Sequence, residues 1–418
     1  MPALHARGCG PTVATWYVAP WARTKRPRAA LAVLSGIGAG AGYATLGAMV
    51  QRGDVLTRPE QATAAWLTDV LRAGGHLTTG RVLEVVHTVN DDAGMSLVCP
   101  LALRYAAHTA PAERRPLLLK LARGDRGPDA PGFAGFTMAE HYEKEVTFYR
   151  ELAPAMPDVP IVPCYDAAYD PATGRGHLLL EDLSPTYYLP PRRYPPPETV
   201  CTQAIDLLAQ LHARWWRDPR LGREIGRFPD EATLGASVTR ASQAVSRFLT
   251  FLGHDLPAPR RRQYERLLEC LPTYFRRRHQ GPKTLVHQDA HWRNVLYPRQ
   301  PGRDSARLFD WQSWDAGTPS SDLAYMTAWH WSPEPQLALL ERLVRRYHHT
   351  LLQHGVAAYD WPQCWAEFRL AVARTPLGPA SAWSSWGSGQ DAASSWLPRV
   401  ERAFVLFDAL RCEDVLEP

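Results

Sequence analysis

Three oxygen-bearing side chains stand at a spacing typical of a phosphoryl-transfer centre. Asp289 and Asn294 lie five positions apart, and Asp310 follows after a short basic turn. Moving a γ-phosphoryl group requires a carboxylate beside the acceptor hydroxyl and oxygen ligands for magnesium, and little covalent work from the protein. We predict that Asp289 is the catalytic base and that Asn294 and Asp310 bind Mg²⁺. Each residue alone would be interpreted as a turn former or a cap, so the arrangement of all three carries the prediction.

A lysine in an apolar strand indicates a second functional group. Lys120 lies within the sequence Leu-Leu-Leu-Lys-Leu-Ala at 117–122, where an ammonium group is costly unless it finds a partner. Glu145 is the expected partner, with Glu140 and Glu143 as alternatives. Such a pair would hold the α- and β-phosphates of a nucleotide. The alternative without a functional role is a lysine in an edge strand whose ammonium group reaches water.

The residues before position 184 predict a β-rich region that positions Lys120. Turn signals at 90–94 predict a hairpin, and a helix with apolar and charged faces precedes the last strand. The predicted strands are 82–89, 96–105, 116–122 and 176–183, and the predicted helices are 59–73 and 139–152.

The residues after position 184 predict a mainly helical region. A proline-rich stretch at 184–198 is expected to run extended over the surface, and 375–395, rich in Ser, Gly, Ala and Trp, is expected to form a mobile aromatic flap. We therefore predict a nucleotide-binding lobe at 51–183 and a catalytic, acceptor-binding lobe at 184–418. The predicted helices are 199–216, 233–252, 260–278, 337–354, 361–372 and 397–410.

Composition narrows the class of partner. The net charge of +5 is small for 418 residues and the basic residues are scattered, which argues against nucleic acid as a ligand. The seven cysteines lie far apart without a C-x-x-C pair, so we expect reduced thiols and a cytoplasmic location. We expect a small-molecule partner and no membrane association. The oligomeric state stays open.

The first fifty residues allow several interpretations. A basic segment at 23–28 precedes an apolar, glycine-rich run at 29–50, which resembles a signal or membrane segment. Residues 36–41 also fit G-x-G-x-x-A, the dinucleotide fingerprint, but without the following strand that a βαβ unit requires. The favoured prediction is a flexible extension at 1–50, or an upstream start in frame with Met49.

Six short motifs together carry a resemblance to a known family. In these motifs the chain resembles the aminoglycoside phosphotransferase and choline kinase family, particularly its ecdysteroid-kinase-like branch. The motifs are Leu119-Lys120, Glu145-x-x-Phe-Tyr149, Leu180-Glu-Asp-Leu183, His287-x-Asp289-x-x-x-x-Asn294, Asp310-Trp-Gln312 and Asp322-Leu-Ala-Tyr325.

The resemblance implies an α+β, two-lobed, protein-kinase-like fold with a small β-rich N-lobe and a large α-helical C-lobe. It implies that ATP binds at the hinge, where adenine meets the backbone from Glu181 to Leu183. It also implies that Asp322 buttresses the catalytic loop, although an aspartate there could simply cap a helix.

The chain departs from the family pattern at two places. The hairpin at 90–96 lacks a glycine-rich run, although Ser96 could donate to a phosphate. Gln288 stands where the family commonly has glycine, so this position must adopt a conformation that a side chain tolerates. His291 would either approach the transferred phosphoryl group or make a structural hydrogen bond.

The leading hypothesis is an ATP- and Mg²⁺-dependent kinase for a hydroxyl group of a small organic molecule. The alternatives are a nucleotide-binding pseudokinase with a regulatory role and, more remotely, a dehydrogenase. The basic and aromatic residues of the 184–198 stretch favour a neutral or aromatic-faced acceptor over a polycationic aminoglycoside. Acidic residues could line the same cleft and favour a cationic acceptor instead; they are Glu334, Asp360 and Glu367. Several tryptophans could stack on a ring of the acceptor or fill the core, among them Trp329, Trp331, Trp383 and Trp386.

Overall fold

The computed structural model describes residues 54–90, 95–124, 127–130, 136–191, 196–300, 302, 304–329, 337–386 and 392–416. These residues form two compact units. The first contains 54–146 and 163–185, and the second contains 147–162 and 186–416. The predicted extension at 1–50, with its apolar run and glycine fingerprint, lies outside the described residues.

The first unit contains an antiparallel sheet. Its described strands follow the spatial order β1-β2-β3-β5-β4. The three strands predicted around Lys120 are confirmed, with small shifts at their ends. The strands are β1 (Val82–His87), β2 (Ser96–Tyr105), β3 (Leu117–Ala122), β4 (Cys164–Asp170) and β5 (Arg175–Glu181).

The apolar character of β3 follows from its central position. It pairs with β2 on one side and β5 on the other, and its leucines are buried. Helix α1 (Ala64–Ala73) begins at Thr63, whose side chain accepts from the N–H of Trp66, and packs Trp66 and Leu71 into the same core as Leu119. Lys120 is the one residue of β3 that is not apolar.

Strand β4 is not predicted from the sequence pattern. Of its seven residues only Ala168 is buried, because β4 lies at the edge of the sheet beside β5. Asp166 and Asp170 interrupt the apolar alternation that indicates a strand. Asp166 is instead held by a ring nitrogen of His177, 2.9 Å from its carboxylate.

The helix predicted at 139–152 changes character part-way. It begins as α2 (Met138–Thr147) and continues as a π-helical turn, Phe148–Leu152, which belongs to the second unit. Within α2, Glu145 is buried and 3% exposed.

The second unit is mainly helical. All six predicted helices are confirmed, with ends shifted by at most two residues, and two further helices occur among the described residues. The helices are α3 (Glu198–Arg214), α4 (Glu231–Leu252), α5 (Ala258–Arg278), α6 (Pro319–Ala324), α7 (Leu337–Gln353), α8 (Trp361–Val372), α9 (Leu377–Trp386) and α10 (Leu397–Ala409).

Two small antiparallel sheets frame the loops that carry the predicted catalytic residues. In one, β7 (Thr284–Val286) pairs with β10 (Asp315–Gly317). In the other, β8 (Val295–Pro298) lies between β6 (Tyr187–Tyr188) and β9 (Arg307–Leu308). The loop from β7 to β8 contains Asp289 and Asn294, and the loop from β9 to β10 contains Asp310.

Of two predictions for irregular segments, one is confirmed in part and one is wrong. The described part of the proline-rich stretch contains the extended strand β6, but it does not lie wholly on the surface, because Tyr187 is buried, donates to the carbonyl of Ser305 and accepts from Nε of Arg307. The predicted flap contains α9, on which the ring of Trp383 stacks 4.9 Å from that of Phe251. Its abundant alanine and serine permit a helix when aromatic side chains give it a packing face.

The predicted fold class is confirmed, since a β-rich N-terminal part precedes a helical C-terminal part. No helix within the described ranges is both long and apolar enough to cross a membrane.

Candidate active site

Asp289 is held on both of its carboxylate oxygens. The hydroxyl of Tyr325 donates to Oδ1 at 2.8 Å, and Nδ2 of Asn294 donates to Oδ2 at 3.0 Å. The same Nδ2 lies 2.9 Å from the carbonyl oxygen of Asp289. The two predicted residues five positions apart are therefore in direct contact, and the carboxylate has one fixed orientation.

The environment of Asp289 raises its pKa to about 6, chiefly through burial and next through the negative charge of Asp310. The hydrogen bonds from Tyr325 and Asn294 act in the opposite direction and favour the charged form. The result is a carboxylate whose proton affinity is higher than that of an ordinary surface aspartate.

Asp322 holds the start of the loop between β7 and β8 through hydrogen bonds to its backbone. It is 1% exposed, and its two oxygens accept the backbone N–H groups of His287 at 2.6 Å and Gln288 at 2.9 Å. Nε2 of His212, on α3, lies 3.3 Å from Asp322, and the other ring nitrogen of His212 lies 2.7 Å from the hydroxyl of Tyr347. The carboxylate thus joins the loop to two helices.

Gln288 occupies the left-handed region with φ +62°, and its side chain is exposed. This conformation is unfavourable for a residue with a side chain. The hydrogen bond from its N–H to Asp322 holds it there.

We expect the change Asp322→Ala to lower the free energy of unfolding by about 2–4 kcal/mol, since the buried N–H of His287 and the partly buried N–H of Gln288 would each lose their partner. Urea denaturation followed by tryptophan fluorescence would measure the loss. Asp255→Ala is a suitable control because Asp255 is exposed. A stability loss no larger than that of the control would contradict the bracing role.

Asp310 is presented by a second loop that is tied to the first. It also has a positive φ, +66°, which aspartate tolerates better than most residues. The neighbouring Trp311 is fully buried and stacks on Phe148 with 3.7 Å between ring centroids. The N–H of Phe309 donates to the carbonyl of Asn294 at 3.1 Å. These contacts fix the position of Asp310 relative to Asn294.

His291 makes a structural hydrogen bond. Burial lowers its pKa to about 3, so the ring is neutral, and its Nδ1 accepts from the N–H of Asn294 at 3.1 Å. Its Nε2 lies 3.8 Å from Oδ2 of Asp289. Of the two predicted roles, the structure supports the structural one for Nδ1.

In the first unit, Nζ of Lys120 lies 2.7 Å from Oε1 of Glu145. The side chains of this pair are 14% and 5% exposed. Glu140 instead accepts hydrogen bonds from Thr137 at the start of α2. The structure therefore brings together the pair that the sequence favoured and leaves Glu140 to another role.

The other predicted nucleotide-binding residues also lie in the first unit. Ser96 begins β2 and is 3% exposed. The N–H of Glu181 donates to the carbonyl of Pro163, and its carboxylate accepts from Tyr165. Within the described residues the N–H of Leu183 donates to no backbone carbonyl.

The family model of the phosphotransferase enzyme family matches residues 103–364, which is more than half of the chain. The chain belongs to this family. A member of this phosphotransferase family is a small-molecule kinase by class, which agrees with the chemistry predicted for the three oxygen-bearing residues. No curated protein sequence gives a significant match.

Several solved structures are similar to this phosphotransferase at low sequence identity. An ethanolamine kinase from Plasmodium vivax is 12% identical, with a TM-score of 0.47, over 78% of this chain and 83% of that one. A choline/ethanolamine kinase family protein from Mesorhizobium loti is 16% identical, with a TM-score of 0.42, over 80% and 89%. A choline kinase from Cryptosporidium parvum is 12% identical, with a TM-score of 0.45, over 79% and 89%. These values are too low to assign a substrate.

Sequence reasoning missed two residues of this phosphotransferase site. Tyr325 belongs to a motif that was recognised, but its hydrogen bond to Asp289 joins residues 36 positions apart. His212 lies 110 positions before Asp322. The signal in the sequence was a histidine on the buried side of helix α3. Such a histidine is usually a core residue whose ring nitrogens are hydrogen-bonded, and it does not by itself indicate a functional site.

Proposed function

We propose that the chain is an ATP- and Mg²⁺-dependent kinase that transfers the γ-phosphoryl group to a hydroxyl of a small organic molecule. The observation that carries the proposal is the arrangement of Asp289, whose two oxygens are held by Tyr325 and Asn294 on a loop braced by Asp322. A carboxylate held in this way can receive a hydrogen bond from an incoming alcohol without reorganising.

Asp289 would orient the acceptor hydroxyl and accept its proton as the bond to phosphorus forms. Its raised proton affinity suits that role, because a base must bind the proton it removes. Tyr325 and Asn294 would each occupy one lone pair on a carboxylate oxygen, and a remaining lone pair would accept from the acceptor hydroxyl.

The residues beside Asp289 fit a magnesium ion. Nδ2 of Asn294 is turned to Asp289, so its amide oxygen points the other way, and Asp310 contributes a carboxylate. Hard oxygen donors suit Mg²⁺, which commonly uses one or two protein ligands together with phosphates and water. When bound, the ion would neutralise charge on the transferred phosphoryl group.

Nucleotide binding is proposed for residues 51–183 and acceptor binding for 184–418. Lys120, kept in place by Glu145, would bind the α- and β-phosphates. The N–H of Leu183 would donate to adenine, with the backbone of Glu181 beside it. The hydroxyl of Ser96 stays a candidate hydrogen-bond donor to a phosphate group of the nucleotide. We also propose a cytoplasmic location, where ATP is available. Six of the cysteines lie within the described residues as free thiols, as a reducing compartment would keep them.

The proposal is tested by incubating the protein with a metabolite extract, Mg²⁺ and ATP labelled at the γ-phosphate. We expect a labelled small molecule that is absent when EDTA is added or when the protein is omitted. Slow release of inorganic phosphate alone, with no labelled product from any extract, would count against a kinase.

We expect Lys120→Met to lower kcat/KM for ATP by about 10- to 100-fold, since a charge-assisted contact to phosphate is lost. Steady-state kinetics at varied ATP would measure the change. Lys144→Met, on the same unit, is the matched control. An equal effect of the two substitutions would show that general charge, and not the Glu145-paired ammonium, supports nucleotide binding.

A further inference from the structure

A cavity of the second unit lies at the end of β7 that is opposite the catalytic loop. Its volume is about 620 Å³, a size that suits a small organic ligand. Lys283 lines the cavity and immediately precedes β7, whereas His287 follows β7 and begins the loop that contains Asp289. Four residues of extended chain span about 13 Å. The cavity is therefore separate from the candidate active site.

Three cationic side chains line this cavity, those of Arg217, Arg223 and Lys283. Arg217 has a left-handed backbone, with φ +55°, and its N–H donates to the carbonyl of Lys283 at 2.8 Å. This hydrogen bond fixes the positions of the two residues relative to each other. Arg223 is exposed, so its guanidinium group is accessible to a ligand from solvent.

The acidic groups of this region are engaged with other residues. Asp218, which also lines the cavity, accepts from Nε and Nη2 of Arg220 at 3.0 and 2.8 Å. Glu367, on α8, accepts from the hydroxyl of Tyr359 at 2.9 Å and from the amide of Gln363 at 3.0 Å. In the part of the chain that the structure describes, none of the three cationic side chains has a carboxylate within ion-pair distance. The lining of the cavity therefore carries an excess of positive charge.

The ammonium group of Lys283 is held by backbone carbonyls. Its Nζ donates to the carbonyl of His279 at 2.9 Å and to that of Gly281 at 2.7 Å, which leaves one of its three donors without a partner among the described residues. Burial lowers the pKa of Lys283 to about 8, while the charge of Glu367 acts in the opposite direction. The group is thus still protonated at pH 7 but poorly hydrated, and a bound anion would stabilise it.

An aromatic ring lies beside this ammonium group. The ring of Phe228 has its centroid 5.9 Å from Nζ of Lys283, and 39% of the residue is exposed. A Cβ on Gly222 would come within 2.2 Å of the ring, so the glycine allows Phe228 to pack directly on the backbone. The cavity therefore offers an apolar surface next to its cationic groups, a combination typical of sites for organic ligands.

We propose that this cavity is a second ligand site, which binds a small organic anion whose carboxylate or phosphate contacts Arg223 and Lys283 and whose ring lies against Phe228. The site goes beyond the proposed function, because it contains none of the residues assigned to phosphoryl transfer. Guanidinium and ammonium groups both bind such oxyanions through charge-assisted hydrogen bonds.

The first test compares four ligands that share a benzene ring and differ in charge. Benzoate and phenyl phosphate are anionic, benzyl alcohol is neutral and benzamidine is cationic. Each is titrated without nucleotide, and Kd is measured by ligand-observed proton NMR. We expect at least one of the anions to bind about 10-fold more tightly than benzyl alcohol. Tightest binding by benzamidine would overturn the proposal.

Charge variants show whether the anions bind in this cavity. Arg223→Met and Lys283→Met should each raise the Kd of the tighter anion by about 10-fold. Arg247→Met, at an exposed arginine of α4, is the matched control and should bind as wild type. Because Arg223 is exposed, its substitution should leave the Tm unchanged, and an unchanged Kd in this variant would by itself refute the site.

A variant of the aromatic wall tests the second part of the ligand. Phe228→Ala should raise the Kd of phenyl phosphate by about 10-fold and leave that of inorganic phosphate unchanged, since the latter has no ring. Equal losses for the two ligands would show that Phe228 supports the cavity without contacting a ligand, and the assignment of a ring-bearing anion would fail. None of these measurements requires turnover, so their outcome is independent of the proposed kinase activity.

Discussion

Replacement of Asp289 by asparagine is expected to lower kcat for phosphoryl transfer by about 10²- to 10⁴-fold, the usual contribution of a general base. The amide keeps nearly the same shape and can still accept from Tyr325, but it cannot take the proton of the acceptor. The loss should therefore appear in kcat, with KM for ATP within a few-fold of wild type. Transfer of labelled phosphate to the product found with wild-type protein measures the effect.

The matched control for this substitution is Asp69→Asn, because Asp69 is an exposed residue of α1. Both variants should unfold at the same urea concentration as wild type or close to it. Activity of the Asp289 variant near that of the control would remove Asp289 from the chemistry, whatever its contacts.

A comparably large loss is expected for Asp310→Asn. The substitution removes one negative charge from the proposed magnesium site, and a metal ion contributes several kcal/mol to stabilising a transferring phosphoryl group. We expect kcat/KM to fall by about 10²-fold or more and the Mg²⁺ concentration needed for half-maximal rate to rise. Rates measured over a wide range of Mg²⁺ and Mn²⁺ concentrations would show both effects.

The control is Asp304→Asn, an exposed aspartate a few residues earlier in the chain. The pKa of Asp289 should also fall in the Asp310 variant, since the neighbouring negative charge is gone, but it should stay above the ordinary range because burial is the larger cause of its rise. If the Asp310 variant kept both its rate and its magnesium requirement, this residue would not be a ligand, and the metal assignment would have to be abandoned.

The sequence predicted local features of this protein well. The spacing of Asp289 and Asn294 was sufficient because both belong to one short loop, whose geometry is set by a few residues. Lys120 was conspicuous because its neighbours in β3 are apolar, and Glu145 was favoured by its position on α2. Helices such as α8 were predicted to the residue because their periodic apolar positions end at clear boundaries.

The features that sequence missed depend on distant partners or on packing. The edge strand β4 is half-buried and contains two aspartates, so its pattern is weak. Helix α9 is stabilised by contacts such as that between Trp383 and Phe251, which are separated by more than 130 positions.

The left-handed conformation of Gln288 has a consequence for turnover. The backbone strain at this residue is balanced by Asp322 in the folded protein before any substrate arrives. Under the proposed mechanism, the backbone next to Asp289 would be in position before the acceptor binds, and each catalytic cycle would avoid the reorganisation energy that a flexible loop would require. The free energy that orders this loop would then be supplied once, during folding.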